Sequence, residues 1–272
     1  GCILGALFAG FLLIPEWGSQ GTLQIGVALQ LLASTVFLGW KARSLALMAG
    51  VCCFLLPTWN PGLMAAGSGV YTDSQQTVSL EKLKDELWLP PTFYKDGLST
   101  TVSIHVGAPG RMTVRVNGKV DASLIQTDRQ TMYLAGYLGG LFVEKPERAA
   151  VIGLGSGMTL EALSHLRSLK TIECAELEPA MLEANRFWSG YNGHVLEDPR
   201  VQVRITDGRT MLQSASQPYD LIISEPSNPW IAGVADLYTR EFFSICRDRL
   251  TEDGAMIQWF HFYGVSDREL GM

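Results

Sequence analysis

Four short apolar runs in the second half of the chain each close on residues able to do chemistry. AAVI is followed by Gly153-Leu-Gly-Ser-Gly157, TIECA by Glu176, VQVRIT by Asp207-Gly208, and YDLIIS by Glu225 and Asn228. Gly153, Gly155 and Gly157 let the backbone approach a ligand where a following helix offers free N–H groups, and Ser156 lies in that loop. A carboxylate at Glu176 can accept both ribose hydroxyls of a nucleoside. Asp207 can accept an exocyclic adenine amine, and Gly208 leaves room for the ring. The dinucleotide pattern GxGxxG is absent, because Gly155 is followed by Ser-Gly-Met. The residues therefore favour a nucleoside of the S-adenosylmethionine type over NAD. Any one of these acids alone would read as a helix cap or a solvated loop residue. Their shared place at strand ends makes them a site.

Those residues need elements to hold them. From Ala149 on, the apolar runs AAVIGLG, TIECAELE, VQVRITD, YDLIISEP and GAMIQWFHF alternate with amphipathic segments such as TLEALSHLRSL and PAMLEANRFW. Strand-length runs alternating with helical ones predict an α/β fold, a Rossmann-like doubly wound parallel sheet of the class I methyltransferase type. Ligands of such sheets sit beyond the carboxyl ends of the strands, at the switch point. Upstream, TFYKDGLSTTVSIHV and GRMTVRVNGKV alternate apolar and polar residues, with APG and Asn117-Gly118 as turns, and predict a small antiparallel β domain. Residues 79–88 (with Ser79 as cap) and 127–142 read as helices, and Lys95 and Asp96 as turn residues. The expected segments are residues 1–60 apolar and helical, 61–78 a linker, 79–126 the β domain and 127–272 the Rossmann-like domain.

The first 60 residues are apolar stretches broken only by PEWGSQGT and KARS. Residues 22–40 approach the roughly 20 apolar residues needed to cross a bilayer core, residues 45–59 are marginal, and residues 2–14 are shorter still. A buried helical core or a signal peptide is the competing reading. The chain opens at Gly1 inside an apolar run and stops at Met272 just after an inner strand, the pattern of a piece of a longer protein. Lys41 and Arg43 favour a cytoplasmic loop, and a spanning segment at 45–59 would then leave the rest of the chain outside, away from cytosolic adenosylmethionine. Two basic residues are a weak topological signal. The expectation is a multi-pass inner or plasma membrane protein with its catalytic domain in the cytoplasm. A net charge of -6 with scattered Lys and Arg argues against a nucleic-acid partner. Five cysteines without a CxxC pair, and isolated His105, His165, His194 and His261, signal no metal site and no disulfide framework.

The chain from about Tyr94 to His261 resembles the spermidine/spermine synthase family of aminopropyltransferases, and the joined apolar segment resembles its membrane-fused bacterial branch. The likeness is carried by VNGKVDASLIQTDRQTMYLAGYL, VIGLGSG, AELEPAML, ITDGR and LIISEPSNPWIAGVADLYTREFF, in order. The resemblance implies Glu176 as ribose ligand, Asp207 and Gly208 as adenine contacts, Glu225 as counterpart of the family's catalytic Asp, and Tyr133 as its active-site Tyr. It implies transfer of an aminopropyl group from decarboxylated S-adenosylmethionine to an amine such as putrescine, release of methylthioadenosine, no metal, and a homodimer. A putrescine amine has a pKa near that of Lys, roughly 10, and must lose a proton before attacking the carbon beside the sulfonium.

Three positions depart from the family. Ser156 replaces an Asp that faces the aminopropyl ammonium, Asn228 a second Asp, and Leu134 a Gln. Ser156 would also tolerate the carboxylate of intact S-adenosylmethionine. Methyl transfer and a non-catalytic nucleoside sensor coupled to the membrane segment therefore stand beside aminopropyl transfer. Tyr238, among the substrate contacts, and Trp230 flank the site as an apolar wall or as plain core. Asp121, Asp128 and Asp236 are either holders of a distal amine or surface charges.

Overall fold

The computed structural model describes residues 2–37, 39–65, 90–107, 111–229 and 233–260. The expected helix 79–88, most of the linker 61–78, Trp230 and everything from His261 onward lie outside the described residues. The chain forms two compact units, residues 1–107 with 114–120, and residues 108–113 with 121–272.

In the first unit, helix α1 (Cys2–Phe8) runs through a π-helical stretch, Ala9–Leu13, into α2 (Ile14–Ser34). This 33-residue helix is long and apolar enough to cross a membrane, and none of it is buried within the protein. PEWGSQGT is not the loop its polarity predicts. The path stays helical except at Gly18, whose φ of 71° and ψ of 172° only glycine adopts cheaply. The break releases the Ser19 N–H, which donates to Asp96 Oδ2 at 2.7 Å. Helix α3 (Trp40–Cys53) runs back along α2: Gly50 lies against Leu31 and Ala28, Gln24 Nε2 donates to the Cys53 carbonyl, and Gln20 bridges Pro57 and Trp59. A four-residue helix α4 (Pro61–Met64) comes next.

Strands β1 (Phe93–Asp96), β2 (Thr101–Val106), β3 (Met112–Val116) and β4 (Lys119–Ser123) form a four-stranded sheet in sequence order. Asn117 and Gly118 form the predicted turn, both with positive φ. Lys95 and Asp96 pair with β2 and are not turn residues. Asp96 also accepts the Tyr94 and Thr101 hydroxyls. Burial would raise its pKa, but the bonds from Ser19, Tyr94 and Thr101 hold it below the ordinary carboxylate value.

The second unit starts with α5 (Gln126–Phe142) and then alternates: β5 (Arg148–Ile152), α6 (Met158–Ser164), β6 (Thr171–Glu176), α7 (Pro179–Asn185), β7 (Val201–Ile205), α8 (Gly208–Ser214), β8 (Tyr219–Ser224), α9 (Arg240–Arg249) and β9 (Leu250–Gln258). The strands form one sheet in the order β7-β6-β5-β8-β9, with every neighbouring pair parallel. The expected doubly wound topology is therefore present, and the winding reverses at β5. Its apolar continuity has a plain cause: Ala149, Ala150 and Val151 are fully buried. Ile152 pairs with Ala175 on one side and Ser224 on the other, so Gly153, Glu176 and Glu225 come next at one level.

One residue breaks the apolar logic of β6. Glu173 is buried mid-strand, and its charge is met by Arg148 Nη2 at 3.0 Å, Arg204 Nη2 at 2.6 Å and the Tyr219 hydroxyl at 2.7 Å. Burial, reinforced by Glu173, pushes the Tyr219 phenol up to about 12.

Helix α5 approaches α6 closely because it carries glycine there. A Cβ on Gly136 would lie 2.6 Å from Ala162 Cβ and 2.9 Å from the Thr159 carbonyl oxygen. Gly136→Val forces the helices apart, and overpacking of this kind costs about 1–3 kcal/mol. The expected fall in melting temperature is roughly 3–10 °C by thermal denaturation. Gly136→Ala should fall in the same direction by less.

Candidate active site

The glycine loop leaves β5 with Gly153, Gly155 and Gly157 all at positive φ. Two of them are also sterically required. A Cβ at Gly153 would sit 2.7 Å from the Glu225 carbonyl oxygen, and one at Gly157 would sit 2.8 Å from Asn192 Nδ2. The loop's carbonyls are held from behind: Asn185 Nδ2 donates to Gly155 O and Asn192 Nδ2 to Ser156 O, both at 2.9 Å. The two buried amides also bond each other at 3.1 Å. Sequence reasoning missed both residues, because an Asn at or beyond the end of a helix has many other roles.

Glu176 stands at the end of β6, beside this loop. Its Oε2 accepts the Leu154 N–H at 3.0 Å and its Oε1 the Glu178 N–H at 2.9 Å. A carboxylate has about four lone-pair sites, so acceptor capacity remains on both oxygens. Burial raises its pKa, while the N–H groups of Glu178, Leu154 and Leu177 oppose the rise. Asp207 is exposed and caps α8, its Oδ1 accepting the Thr210 N–H at 2.9 Å and the Thr210 hydroxyl at 3.1 Å. Gly208 is buried over Ile152, where a Cβ would meet Cγ2 at 2.6 Å. The cap leaves Oδ2 outside these bonds.

Glu225 comes directly after β8. Its Oε2 accepts the Thr159 hydroxyl at 2.6 Å, and its Oε1 is buried with no hydrogen-bond partner among the described residues. Burial pushes the carboxyl up to about 7, against the lowering effect of the Thr159 bond. Beneath it on β6, burial and the carboxylates of Glu176 and Glu225 push the Cys174 thiol well up, so it is an inert thiol. An acceptor oxygen held out of water with nothing to accept from is the feature of this site that asks for a ligand.

Helix α5 enters the site through Met132. Ser156 is buried, and its hydroxyl donates to Met132 Sδ at 3.0 Å. Thr159 Oγ1 reaches the Met132 carbonyl at 3.0 Å. One residue on, about 100° around the helix, Tyr133 faces elsewhere. Its hydroxyl donates to Glu161, its ring stacks on Tyr137 at 6.2 Å, and it lines an open hollow of about 560 Å³ with Arg129 and Leu134. Burial, then the Glu161 bond, pushes its phenol up to about 12. Tyr133 is not hydrogen-bonded to Glu225. Thr159 and Met132 were missed from sequence, since neither type at helical spacing signals more than packing.

The loop after Glu225 is built inward. Asn228 is fully buried. The Tyr238 hydroxyl donates toward the carbonyls of Ser227 at 3.3 Å and Trp259 at 3.4 Å, tying that loop to the end of β9, and its ring meets Phe260 edge-on at 5.9 Å. Asp121 accepts the Ser227 hydroxyl at 2.9 Å, which brings a second acid to the loop. Asp128 accepts the Ser123 hydroxyl, and Asp236 is exposed on the 3-10 turn Val234–Tyr238. No cluster of three or more His, Cys, Asp or Glu suited to a metal occurs among the described residues.

Residues 132–259 match the family model of the spermine/spermidine synthase domain. This stretch is similar to a spermine/spermidine synthase domain. Its limits run from the Met132 that touches Ser156 and Thr159 to the Trp259 that closes the sheet. The polyamine aminopropyltransferase of Clostridium perfringens (strain SM101 / Type A) is 33% identical over 107 residues, 39% of this chain and 38% of its own length. That of Korarchaeum cryptofilum is 33% identical over 119 residues, 43% of this chain and 36% of its own. The chain thus spans about two fifths of the length of the curated relatives it matches. Among solved structures, a spermidine synthase in complex with the transition state analogue AdoDATO superposes with a TM-score of 0.57 at 21% identity, covering 61% of this chain and 56% of that one. The spermidine synthase of Thermotoga maritima gives 0.55 at 20% identity, covering 61% and 55%. These two likenesses show the fold of the synthase domain.

Proposed function

We propose that the synthase domain transfers an aminopropyl group from decarboxylated S-adenosylmethionine to a small amine such as putrescine and releases methylthioadenosine. The observation that carries this reading is the buried, unpartnered Oε1 of Glu225 at the same sheet level as Glu176. In this reading Glu176 accepts from the ribose hydroxyls, Asp207 takes the adenine amine through the oxygen its helix cap leaves over, and Gly208 makes room for the ring. The amine binds as a cation at Glu225. Its nitrogen gives a proton to the carboxylate and attacks the methylene beside the sulfonium. A C–N bond forms, the C–S bond breaks, and its electron pair stays on sulfur as a neutral thioether. Positioning supplies most of the rate, because the sulfonium is already a good leaving group. Asn228, Tyr238 and Asp121 shape the loop that would carry the far end of the acceptor. Tyr133 acts there only if ligand binding draws its hydroxyl from Glu161.

The unburied helix Cys2–Ser34 supports a bilayer as the medium of the N-terminal segment, and a cytosolic donor of the adenosylmethionine type would call for the synthase domain on the cytoplasmic side. The deciding assay offers the full-length protein decarboxylated or intact S-adenosylmethionine with a panel of amines. Methylthioadenosine released only from the decarboxylated donor plus an amine is the expected product. Adenosylhomocysteine from the intact donor would overturn the reading in favour of methyl transfer, and binding without turnover would overturn it in favour of a sensor.

A further inference from the structure

Thr159 has one hydroxyl proton and two acceptors at hydrogen-bond distance. Its Oγ1 lies 2.6 Å from Glu225 Oε2 and 3.0 Å from the Met132 carbonyl oxygen. If Glu225 is ionised, both neighbours can only accept, and one of the two contacts has no hydrogen in it. If Oε2 carries a proton, every contact is made: the carboxyl donates to Oγ1, and Oγ1 donates to Met132. The other carboxyl oxygen points the same way. Oε1 is buried without a partner, a place where a neutral carbonyl oxygen costs less than half of an anion.

Among the described residues, the groups facing Glu225 bring no positive charge to oppose this. They are the Thr159 hydroxyl from α6, the Met132 carbonyl from α5, and from β6 the Cys174 thiol, itself beside Glu176. Two residues on, Ser227 holds the Asp121 carboxylate. The short path from α5 exists because Gly136 lets that helix lie against the Thr159 backbone.

We propose that Glu225 stores a proton in the free protein and that Thr159 is the residue that positions it: Glu225 Oε2–H donates to Thr159, and an alkylammonium arriving at Oε1 expels that proton to solvent. The Thr159 hydroxyl then turns from Met132 to the new carboxylate. One proton leaves per cation bound, and the ammonium's own proton later passes to Glu225 when its nitrogen attacks. The identity of the cation rests on the aminopropyl-transfer reading, whereas the resting protonation does not. The elevated carboxyl, at about 7, agrees with this resting state.

The test is infrared difference spectroscopy of the ligand-free, full-length protein across pH, for the wild type and for Glu225→Gln, Thr159→Val and Thr159→Ser. A carboxylic-acid C=O band present near pH 6 and absent in Glu225→Gln is expected. Its midpoint should rise by about one pH unit in Thr159→Val, because the ionised form loses its one charge-assisted hydrogen bond and is left bare on both oxygens, and that bond is what lowers the pKa in the wild type. Thr159→Ser should restore it, and putrescine should abolish the band in the wild type. The acid limb of kcat/KM should move with the same midpoint. No Glu225-dependent band near pH 6, or the same midpoint in Thr159→Val and wild type, overturns the proposal. A band that behaves as expected in a protein that makes no methylthioadenosine upholds the proton store and removes the aminopropyl reading.

Discussion

Glu225→Gln is expected to lower aminopropyl transfer by roughly 10²–10⁴-fold, the usual contribution of a positioned general base. The amide is nearly the same shape and keeps an acceptor for Thr159, but it can neither pair with an ammonium nor take its proton. The fold should not suffer. Burial raises the Glu225 carboxyl to about 7, above its value in the unfolded chain. Between about pH 4.5 and 7 the folded protein therefore holds a proton that the unfolded chain has released, and stability falls as pH rises through that window. The cost is complete above the folded pKa and amounts to roughly 3 kcal/mol. Glu225→Gln carries no such cost. Urea denaturation at about pH 5 and about pH 8 should show the mutant gaining on the wild type at the higher pH. Activity in the wild type should rise with pH through the same range as the base ionises. A mutant that turns over at wild-type rate, or a stability gap that does not widen with pH, would count against a proton-storing Glu225.

Glu176→Gln has the second largest expected effect, and it falls on binding and folding together. The carboxylate already accepts backbone N–H groups from Leu154 and Glu178, one on each oxygen. An amide in its place turns an NH₂ toward one of those donors, leaving a buried N–H unpaired at about 1–3 kcal/mol. It also replaces charge-assisted bonds to the ribose by neutral ones or none. The loss of about 1.5–3 kcal/mol per such bond predicts at least a roughly tenfold rise in Kd for methylthioadenosine, measurable by calorimetry on the folded fraction. Asp207→Asn serves as the contrast. Its carbonyl oxygen still caps α8, so it should weaken nucleoside binding less and leave stability nearly unchanged. Equal affinity in Glu176→Gln and wild type would remove Glu176 from the nucleoside site.

Phase along a helix explains why one part of the site resisted reading. Met132 and Tyr133 are neighbours in sequence, and tyrosine is the side chain with evident chemistry. Yet it is Met132 whose sulfur and carbonyl meet Ser156 and Thr159, while the Tyr133 hydroxyl goes to Glu161. Helical periodicity identifies which residues share a face, not which face turns toward the sheet. The helix limits in the N-terminal segment differ from its apolar runs for a related reason. Polar PEWGSQGT looks like a loop, but Gly18 alone absorbs the change of direction and leaves helix on both sides.

The sequence by itself determined the doubly wound sheet and the positions of Gly153, Glu176, Asp207 and Glu225 at its strand ends. Parallel strands buried on both faces must be continuous apolar runs, so the first residues after them are marked by the change to polar types. What only the tertiary structure decided is how those residues are held. Asn185 and Asn192 hold the loop carbonyls, Arg148, Arg204 and Tyr219 meet the Glu173 carboxyl, and Thr159 links Glu225 to the Met132 carbonyl. These bonds join groups distant along the chain, between residue types common everywhere in proteins. Their meaning lies in distances of about 3 Å that exist only once the helices have packed on the sheet.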